Sequence, residues 1–252
     1  METAIRQNSP PASPVTVAAQ RTPDRASVWD AIWAQRGMVP RSIAAVRASL
    51  HALHRRVLDP YLHPAASLLE LGCGPATLTL SMAHRVQRLT GLDISPEALR
   101  QAQENATRLG VTNATFVRGD CRAVPFRDAF PIVWSAGLIE HFFEEDLAVV
   151  RQHLAAAMPG GIVLMSVPAT WSLHHLHYLL SRPWFLRWLW PWSDVRHFQK
   201  FYAPWQLRRL GKATGLPALV YYLPPAPVGF LLGILILEIR KPAHDPRNAR
   251  TS

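Results

Sequence analysis

Apolar positions along this chain follow two alternating periods. Between residues 67 and 167, short continuous apolar runs alternate with stretches in which apolar residues recur every three or four positions. The first pattern indicates buried strands and the second indicates amphipathic helices. Strands are predicted at 67–71, 88–92, 114–117, 132–134 and 162–167, and helices at 77–86, 96–109 and 144–157. Strands that alternate with helices predict a parallel, doubly wound sheet with right-handed crossovers.

The flanking segments complete the predicted fold. Two helices precede the first strand, one beginning near Ser27 and one over 41–58. After the fifth strand, a helix is predicted at 204–214, and two apolar runs at 218–223 and 230–240 are predicted to close the sheet as an antiparallel pair joined by a proline-rich connection. The predicted class is therefore α/β, with a mostly parallel seven-stranded sheet, a closing antiparallel hairpin and helices on both faces.

Composition divides the chain into segments. Residues 1–25 mix Pro, Ser, Thr, Ala and Arg without apolar periodicity, which predicts a disordered leader. We expect an N-terminal helical cap at 26–62, a main domain at 63–241 with an aromatic-rich insertion at 170–203, and a flexible tail at 242–252. A chain of 252 residues that is 49% hydrophobic suits one α/β domain with a sizeable core.

Cysteine usage and charge limit the cellular location and the binding partners that we expect. The two cysteines form no CxxC pair and no secretory pattern opens the chain, so we expect a reducing, cytoplasmic location. The net charge is +10, but the arginines are dispersed, which favours a solvated surface over a nucleic-acid footprint. The most apolar tract, 216–239, contains four prolines, so no transmembrane helix is predicted. The oligomeric state stays open.

A glycine turn follows the first predicted strand, at residues 70–76 (Glu-Leu-Gly-Cys-Gly-Pro-Ala). Glycines there let the backbone approach a ligand just before a helix. A dinucleotide fingerprint would need a glycine where Thr77 stands, and Pro75 removes a backbone donor. Glu70 would repel a pyrophosphate but attract a cation. At the end of the second strand, Asp93 is placed to accept hydrogen bonds from ribose hydroxyls.

This chain resembles the class I S-adenosylmethionine-dependent methyltransferases, in particular their small-molecule branch. Four segments in the family's order carry the resemblance: Glu70-x-Gly72-x-Gly74, with Ala76 at the third glycine; Asp93; Gly119-Asp120-Cys121 followed by Pro125-Phe126; and residues 134–142, which contain Glu-His. The resemblance implies S-adenosylmethionine as cofactor. The positions that it assigns to cofactor binding are Glu70, Gly72, Cys73, Gly74, Asp93, Ile94, Asp120, Cys121, Ser135 and Gly137.

Within this resemblance the individual roles differ. Glu70 helps to hold the amino group of the methionine part, Ile94 lies against the adenine ring, and Asp120 accepts from the adenine amino group while the Cys121 amide donates to a ring nitrogen. Ser135 belongs to the segment that borders the transferred methyl group. An N-terminal helix with Trp29 and Trp33 resembles the helix that caps the cofactor in relatives, although simple packing explains the same pattern.

Two candidate catalytic residues follow the fourth strand. His141 is the candidate general base, because its unperturbed pKa lies near neutrality. Glu140 is the candidate that orients His141 or binds the acceptor. A structural role at the start of a helix is favoured for His141, since many relatives need no protein base, and is an equal alternative for Glu140. His174, His175 and His177 have no nearby acidic or cysteine partner, so no metal site is predicted.

The class of methyl acceptor is limited mainly by the motifs that the sequence lacks. The Asn/Asp-Pro-Pro-Tyr segment typical of base and amide methylation is missing after the fourth strand, and neither cysteine suits a C5-methyltransferase. The insertion at 170–203 is the candidate acceptor lid; core packing and a lipid-facing surface that contacts a membrane peripherally are its alternatives. We predict methyl transfer to an O, N or C atom of a small-molecule or lipid-like acceptor. An RNA or protein acceptor and a non-catalytic cofactor-binding module are the alternatives.

Overall fold

The computed structural model of the chain describes residues 25–35, 41–180, 199–223 and 233–243. Four parts of the predictions lie outside these residues: positions 1–24 of the predicted leader, positions 181–198 of the predicted insertion, the proline-rich connection and most of the predicted tail. Within them no helix is long and apolar enough to cross a membrane.

Seven helices and seven strands are found in the described residues. The helices are α1 (Arg25–Gln35), α2 (Arg41–Leu58), α3 (Thr77–Leu80), α4 (Pro96–Arg108), α5 (Asp146–Ala156), α6 (Leu173–Leu180) and α7 (Pro204–Lys212). The strands are β1 (Ser67–Leu71), β2 (Arg88–Asp93), β3 (Ala114–Arg118), β4 (Phe130–Ala136), β5 (Ala157–Pro168), β6 (Ala218–Tyr222) and β7 (Ile234–Arg240).

The strands form one sheet in the order β3-β2-β1-β4-β5-β7-β6. Strands β1 to β5 pair in parallel, whereas β7 lies antiparallel to both β5 and β6. The predicted seven-stranded, mostly parallel sheet with a closing antiparallel pair is confirmed. The strand order reverses between β1 and β4, and the crevice at such a reversal, outside the carboxyl ends of the strands, is where open α/β sheets bind ligands.

The core lies on both faces of the sheet, because successive side chains of a strand point to opposite faces. Leu69 and Leu71 of β1 pack with residues of α5 and α7 on one face, while Leu68 packs with α2 and α4 on the other. Helices therefore cover both faces, as a parallel sheet requires. The carboxyl edge of the sheet is left for the loops that carry the candidate site.

Local structure departs from the prediction at several places. The helix predicted at 77–86 is one α turn, α3, followed by a 3-10 turn at Ala83–Arg85. The side-chain amide of Asn113, distant in sequence, donates to the carbonyls of Ala83 and Val86 at the two ends of this 3-10 turn. Residues 143–145 form a 3-10 turn, so α5 begins at Asp146, and α6 was not predicted as a helix.

Candidate active site

The glycine turn is tied to the end of β2 by backbone hydrogen bonds. The amides of Gly72 and Cys73 both donate to the carbonyl of Leu92, at 2.8 and 3.1 Å. Gly72 and Gly74 have φ values of 66° and 50°, in the left-handed region that glycine adopts without cost. Ala76, which replaces the family's third glycine, also has a positive φ of 53°. The backbone thus keeps the turn that the resemblance implies, and Ala76 adopts it at some conformational cost.

Asp93 organises the junction between β1 and β2. Its Oδ2 accepts from the amide of Gly74 at 2.8 Å, and its Oδ1 accepts from the amide of Ser95 at 2.9 Å. Burial raises the pKa of this carboxyl, although the bonds from Ser95 and Gly74 oppose the rise. Each carboxylate oxygen can accept more than one hydrogen bond, so Asp93 retains capacity for the two hydroxyls of a ribose.

Glu70 lies buried on the sheet beside the turn. Its Oε2 accepts from the hydroxyl of Thr79 at 2.5 Å. Burial raises the pKa of Glu70 to about 8; the Thr79 bond opposes this rise and the nearby charge of Asp93 adds to it. A carboxyl with this pKa is mostly protonated at neutral pH, and a cation beside it would stabilise the ionised form. The acidic pair Glu70 and Asp93 therefore fits a cationic ligand and disfavours an anionic one.

Asp120 follows β3 and is held by an arginine two residues away. Arg122 contacts both carboxylate oxygens, with Nη2 to Oδ2 at 2.6 Å. Burial pushes the pKa of Asp120 upward, but the hydrogen bonds and the charge of Arg122 outweigh it and lower the pKa overall. Arg122 also lies 3.6 Å from Glu145, which pairs with Arg25 of α1 at 2.9 Å. Asp120 thus belongs to a chain of ion pairs that reaches the N-terminal helix.

Helix α1 lies across the glycine turn. A Cβ added to Gly74 would lie 2.7 Å from Cζ2 of Trp33, so the indole ring rests directly on the glycine. Asp30 accepts from the Ser95 hydroxyl and from the Glu97 amide, the latter at 3.2 Å, at the start of α4. The ring of Trp29 meets the ring of His141 edge-on, with centroids 4.9 Å apart. These contacts place α1 where a cap over the cofactor would be expected.

The candidate catalytic pair has two different environments. Glu140 is only 3% exposed, and among the described residues no partner lies within hydrogen-bonding distance of its Oε2. Burial raises its pKa to about 8, so the side chain is largely a neutral acid at pH 7. His141 is half-buried and faces Trp29.

The other predicted cofactor residues are distributed over the same edge. Ile94 is half-buried after β2, Cys121 is buried after β3, and Gly137, with a φ of 66°, follows β4. Ser135 is buried, and its hydroxyl lies 2.9 Å from Nε2 of His153 in α5. The hydroxyl of Ser135 thus has a partner within the chain, on α5.

The sequence predictions miss some residues that contact the site. Asp30 and Arg122 were not predicted, and Trp33 was noted only by resemblance. Asp30 lies 65 residues before Ser95, so no local spacing signals that it contacts the start of α4. The Asp120-x-Arg122 pair is local, and an arginine two residues after a predicted ligand-binding acid was the available signal.

Comparison with known proteins supports the resemblance. Residues 68–161 match a family model described as "Methyltransferase domain". A ubiquinone biosynthesis O-methyltransferase of Aeromonas salmonicida is 28% identical over 150 residues, which are 59% of this chain and 62% of that protein. A malonyl-[acyl-carrier protein] O-methyltransferase of Erwinia billingiae is 34% identical over 110 residues, 43% of this chain and 41% of the relative. The chain thus covers less than two thirds of either relative's length.

Solved structures share the fold at lower sequence identity. Magnesium protoporphyrin IX methyltransferase from Synechocystis PCC 6803 superposes with a TM-score of 0.61 at 19% identity, over 86% of this chain and 95% of that one. The [4+2]-cyclase SpnF gives a TM-score of 0.60 at 18% identity, over 77% of this chain and 81% of the other.

The seven-stranded order, the glycine turn, Asp93 at the end of β2 and the matched family model all point to one conclusion. Together they support the assignment of residues 68–161 to the class I, S-adenosylmethionine-dependent methyltransferases.

Proposed function

We propose that this protein binds S-adenosylmethionine at the carboxyl edge of β1, β2 and β3 and transfers its methyl group to a small-molecule or lipid-like acceptor. The observation that carries the proposal is the pair of buried carboxyls at the glycine turn. Asp93 accepts from the Gly74 amide at 2.8 Å, and Glu70, on the strand that leads into the turn, accepts from the Thr79 hydroxyl at 2.5 Å. Two buried carboxyls beside a positive-φ turn suit a sulfonium cofactor with an ammonium group.

Each residue has a distinct task in this proposal. Asp93 accepts from the ribose hydroxyls with its remaining lone pairs, and Glu70 faces the ammonium group. Asp120 accepts from the adenine amino group while Arg122 keeps it ionised. The missing side chain at Gly72 makes room for Leu138, since a Cβ there would lie 2.6 Å from Cδ1 of Leu138. When bound, S-adenosylmethionine supplies an electrophilic methyl group, so the protein mainly has to align the acceptor.

Proton removal in this proposal falls to His141. It is half-buried, whereas Glu140 beside it is almost completely buried and is neutral at pH 7. A neutral Glu140 cannot act as a base at that pH, but its proton can be donated in a hydrogen bond to an acceptor oxygen. Acceptors whose attacking atom carries no proton would need neither residue.

A second function is suggested by one comparison. SpnF shares the fold and is named a [4+2]-cyclase, so this architecture does not by itself establish methyl transfer. The two functions differ in the fate of the cofactor's methyl group, because only transfer consumes it.

The experiment is incubation of the protein with methyl-labelled S-adenosylmethionine and a fractionated cell extract. Label in the organic phase supports a small or lipid-like acceptor, and label lost on nuclease or protease treatment indicates a macromolecule instead. Cofactor binding is measured separately by calorimetry with Asp93→Ala, which should abolish it, and with Asp128→Ala, an acidic control outside the proposed site, which should not. Unchanged affinity in Asp93→Ala would show that the assigned site is wrong.

A further inference from the structure

Half of the large apolar side chains that are exposed in the described residues are found in one region. Trp171 and Leu173 are each 60% exposed, Trp205 is 56% exposed, and Leu176 and Leu179 are close to half exposed. The three leucines recur at three-residue spacing on α6 and therefore share a helix face. Extended exposed apolar surface of this kind marks an interaction site more often than chance.

Helix α7 joins this region through an aromatic contact. The rings of Trp171 and Trp205 lie with centroids 5.1 Å apart. Trp205 shares its face of α7 with Arg208, Arg209 and Lys212, which are all exposed and follow at the i+3, i+4 and i+7 positions. The opposite face of α7 buries Leu207 and Leu210 in the core. An apolar surface thus continues into a row of three cations.

These cations have no anionic partner in the described part of the chain. No ion pair there involves Arg208, Arg209 or Lys212. Between Asp146 and Glu238 the sequence contains eight lysines and arginines but a single acidic residue, Asp194. The first 146 residues, by contrast, contain 15 basic and 14 acidic residues and are nearly neutral. The positive charge is thus concentrated in the half of the chain that exposes the apolar side chains.

The same surface borders the candidate active site. Thr170, beside Trp171, donates its amide to the carbonyl of Tyr202 at 2.9 Å. Two residues earlier, the amide of Lys200 donates to the carbonyl of Glu140 at 3.0 Å. One short segment therefore connects Glu140, in the 3-10 turn after β4, with the two exposed tryptophans.

We propose that Trp171, Leu173, Leu176, Leu179 and Trp205, with the cations of α7, form a surface that docks onto an anionic lipid bilayer next to the active site. Tryptophan and leucine side chains partition into the interfacial zone of a bilayer, while arginine and lysine contact anionic headgroups. A nucleic acid would satisfy the cations but would give the three leucines no comparable partner. The corollary that the acceptor is a membrane-dissolved molecule rests on the proposed function; the docking does not.

The test is sedimentation of the full chain with vesicles of phosphatidylglycerol and phosphatidylcholine, compared with vesicles of phosphatidylcholine alone. Binding is expected to the anionic vesicles and to weaken as salt is raised. Replacing the cations by glutamine, in Arg208→Gln/Arg209→Gln/Lys212→Gln, should lower the partition coefficient by about a hundredfold, as about 1 kcal/mol per charge implies. Replacing the leucines by serine, in Leu173→Ser/Leu176→Ser/Leu179→Ser, should lower it by about tenfold or more.

Matched controls use exposed residues outside the proposed surface. Leu109→Ser on α4 and Arg55→Gln/Arg56→Gln on α2 remove similar side chains and should leave vesicle binding unchanged. Circular dichroism and cofactor calorimetry check that each variant folds and keeps its cofactor site. The proposal is overturned if the wild-type chain does not bind vesicles, or if the control variants lose as much binding as the surface variants. It is also overturned if only the cation variant loses vesicle binding and the chain binds RNA tightly. Vesicle binding without cofactor binding would uphold docking and refute the proposed function.

Discussion

Replacing Glu70 by glutamine separates the charge of this buried carboxyl from its shape. The side-chain oxygen of glutamine can still accept from the hydroxyl of Thr79, which lies 2.5 Å from the carboxylate in the wild-type chain. The variant therefore preserves packing and one hydrogen bond, and removes the titration. Any change in the pH dependence of cofactor binding then reports on this carboxyl.

The magnitude follows from the raised pKa of Glu70. With a pKa of about 8, about nine tenths of the carboxyl is protonated at pH 7. A ligand ammonium group binds the ionised form, so binding lowers this pKa and releases a proton. The affinity therefore falls as the pH drops below 8, by a factor that approaches about tenfold per pH unit and reaches about 20-fold between pH 7.5 and pH 6. In this range the amino group of the ligand stays mostly protonated.

Titration calorimetry at several pH values, in buffers of different ionisation enthalpy, measures both the affinity and the proton release. The wild-type chain should release close to one proton at pH 7, and Glu70→Gln should release none and lose the slope. Glu140→Gln is the matched control, because its pKa is also raised to about 8 but it is assigned no contact with the cofactor. A slope that persists in Glu70→Gln, or vanishes in Glu140→Gln, would refute this role for Glu70.

Three further predictions concern stability. Gly72→Ala should destabilise the fold by at least about 1 kcal/mol in chemical denaturation, because φ at this position is 66° and the new Cβ would lie 2.6 Å from Cδ1 of Leu138. Adding Leu138→Ala should relieve this contact but not the backbone cost. Burial lowers the pKa of His153 to about 4, so the unfolded chain binds the proton first and stability falls as pH drops from 6.5 to 4; His153→Gln should flatten this decline in thermal melts, and an unchanged slope would contradict it. For Glu140 the sign is reversed, because its raised pKa makes the folded chain bind more protons than the unfolded chain. The stability should therefore fall by up to about 1.4 kcal/mol per pH unit as the pH rises from 4.5 to 8. Glu140→Gln should abolish that part of the slope in denaturant titrations.

The sequence by itself determined the elements whose causes are local. Apolar runs and helical periodicity located β1 to β5, α4 and the closing antiparallel pair, because burial on a sheet or on a helix face leaves a period in the chain. The glycine turn and Asp93 were likewise readable, since a tight turn needs glycine at fixed offsets and parallel strands bring their carboxyl ends to one edge.

Only the tertiary structure decided the features that depend on residues far apart in the chain. Asn113 holds the 3-10 turn after α3, Asp30 contacts the start of α4, and His153 contacts the hydroxyl of Ser135. Each of these contacts joins residues at least 18 positions apart, beyond any periodic pattern. The exposed surface shared by Trp171 and Trp205 has the same origin, because folding brings their rings together across 34 residues of sequence.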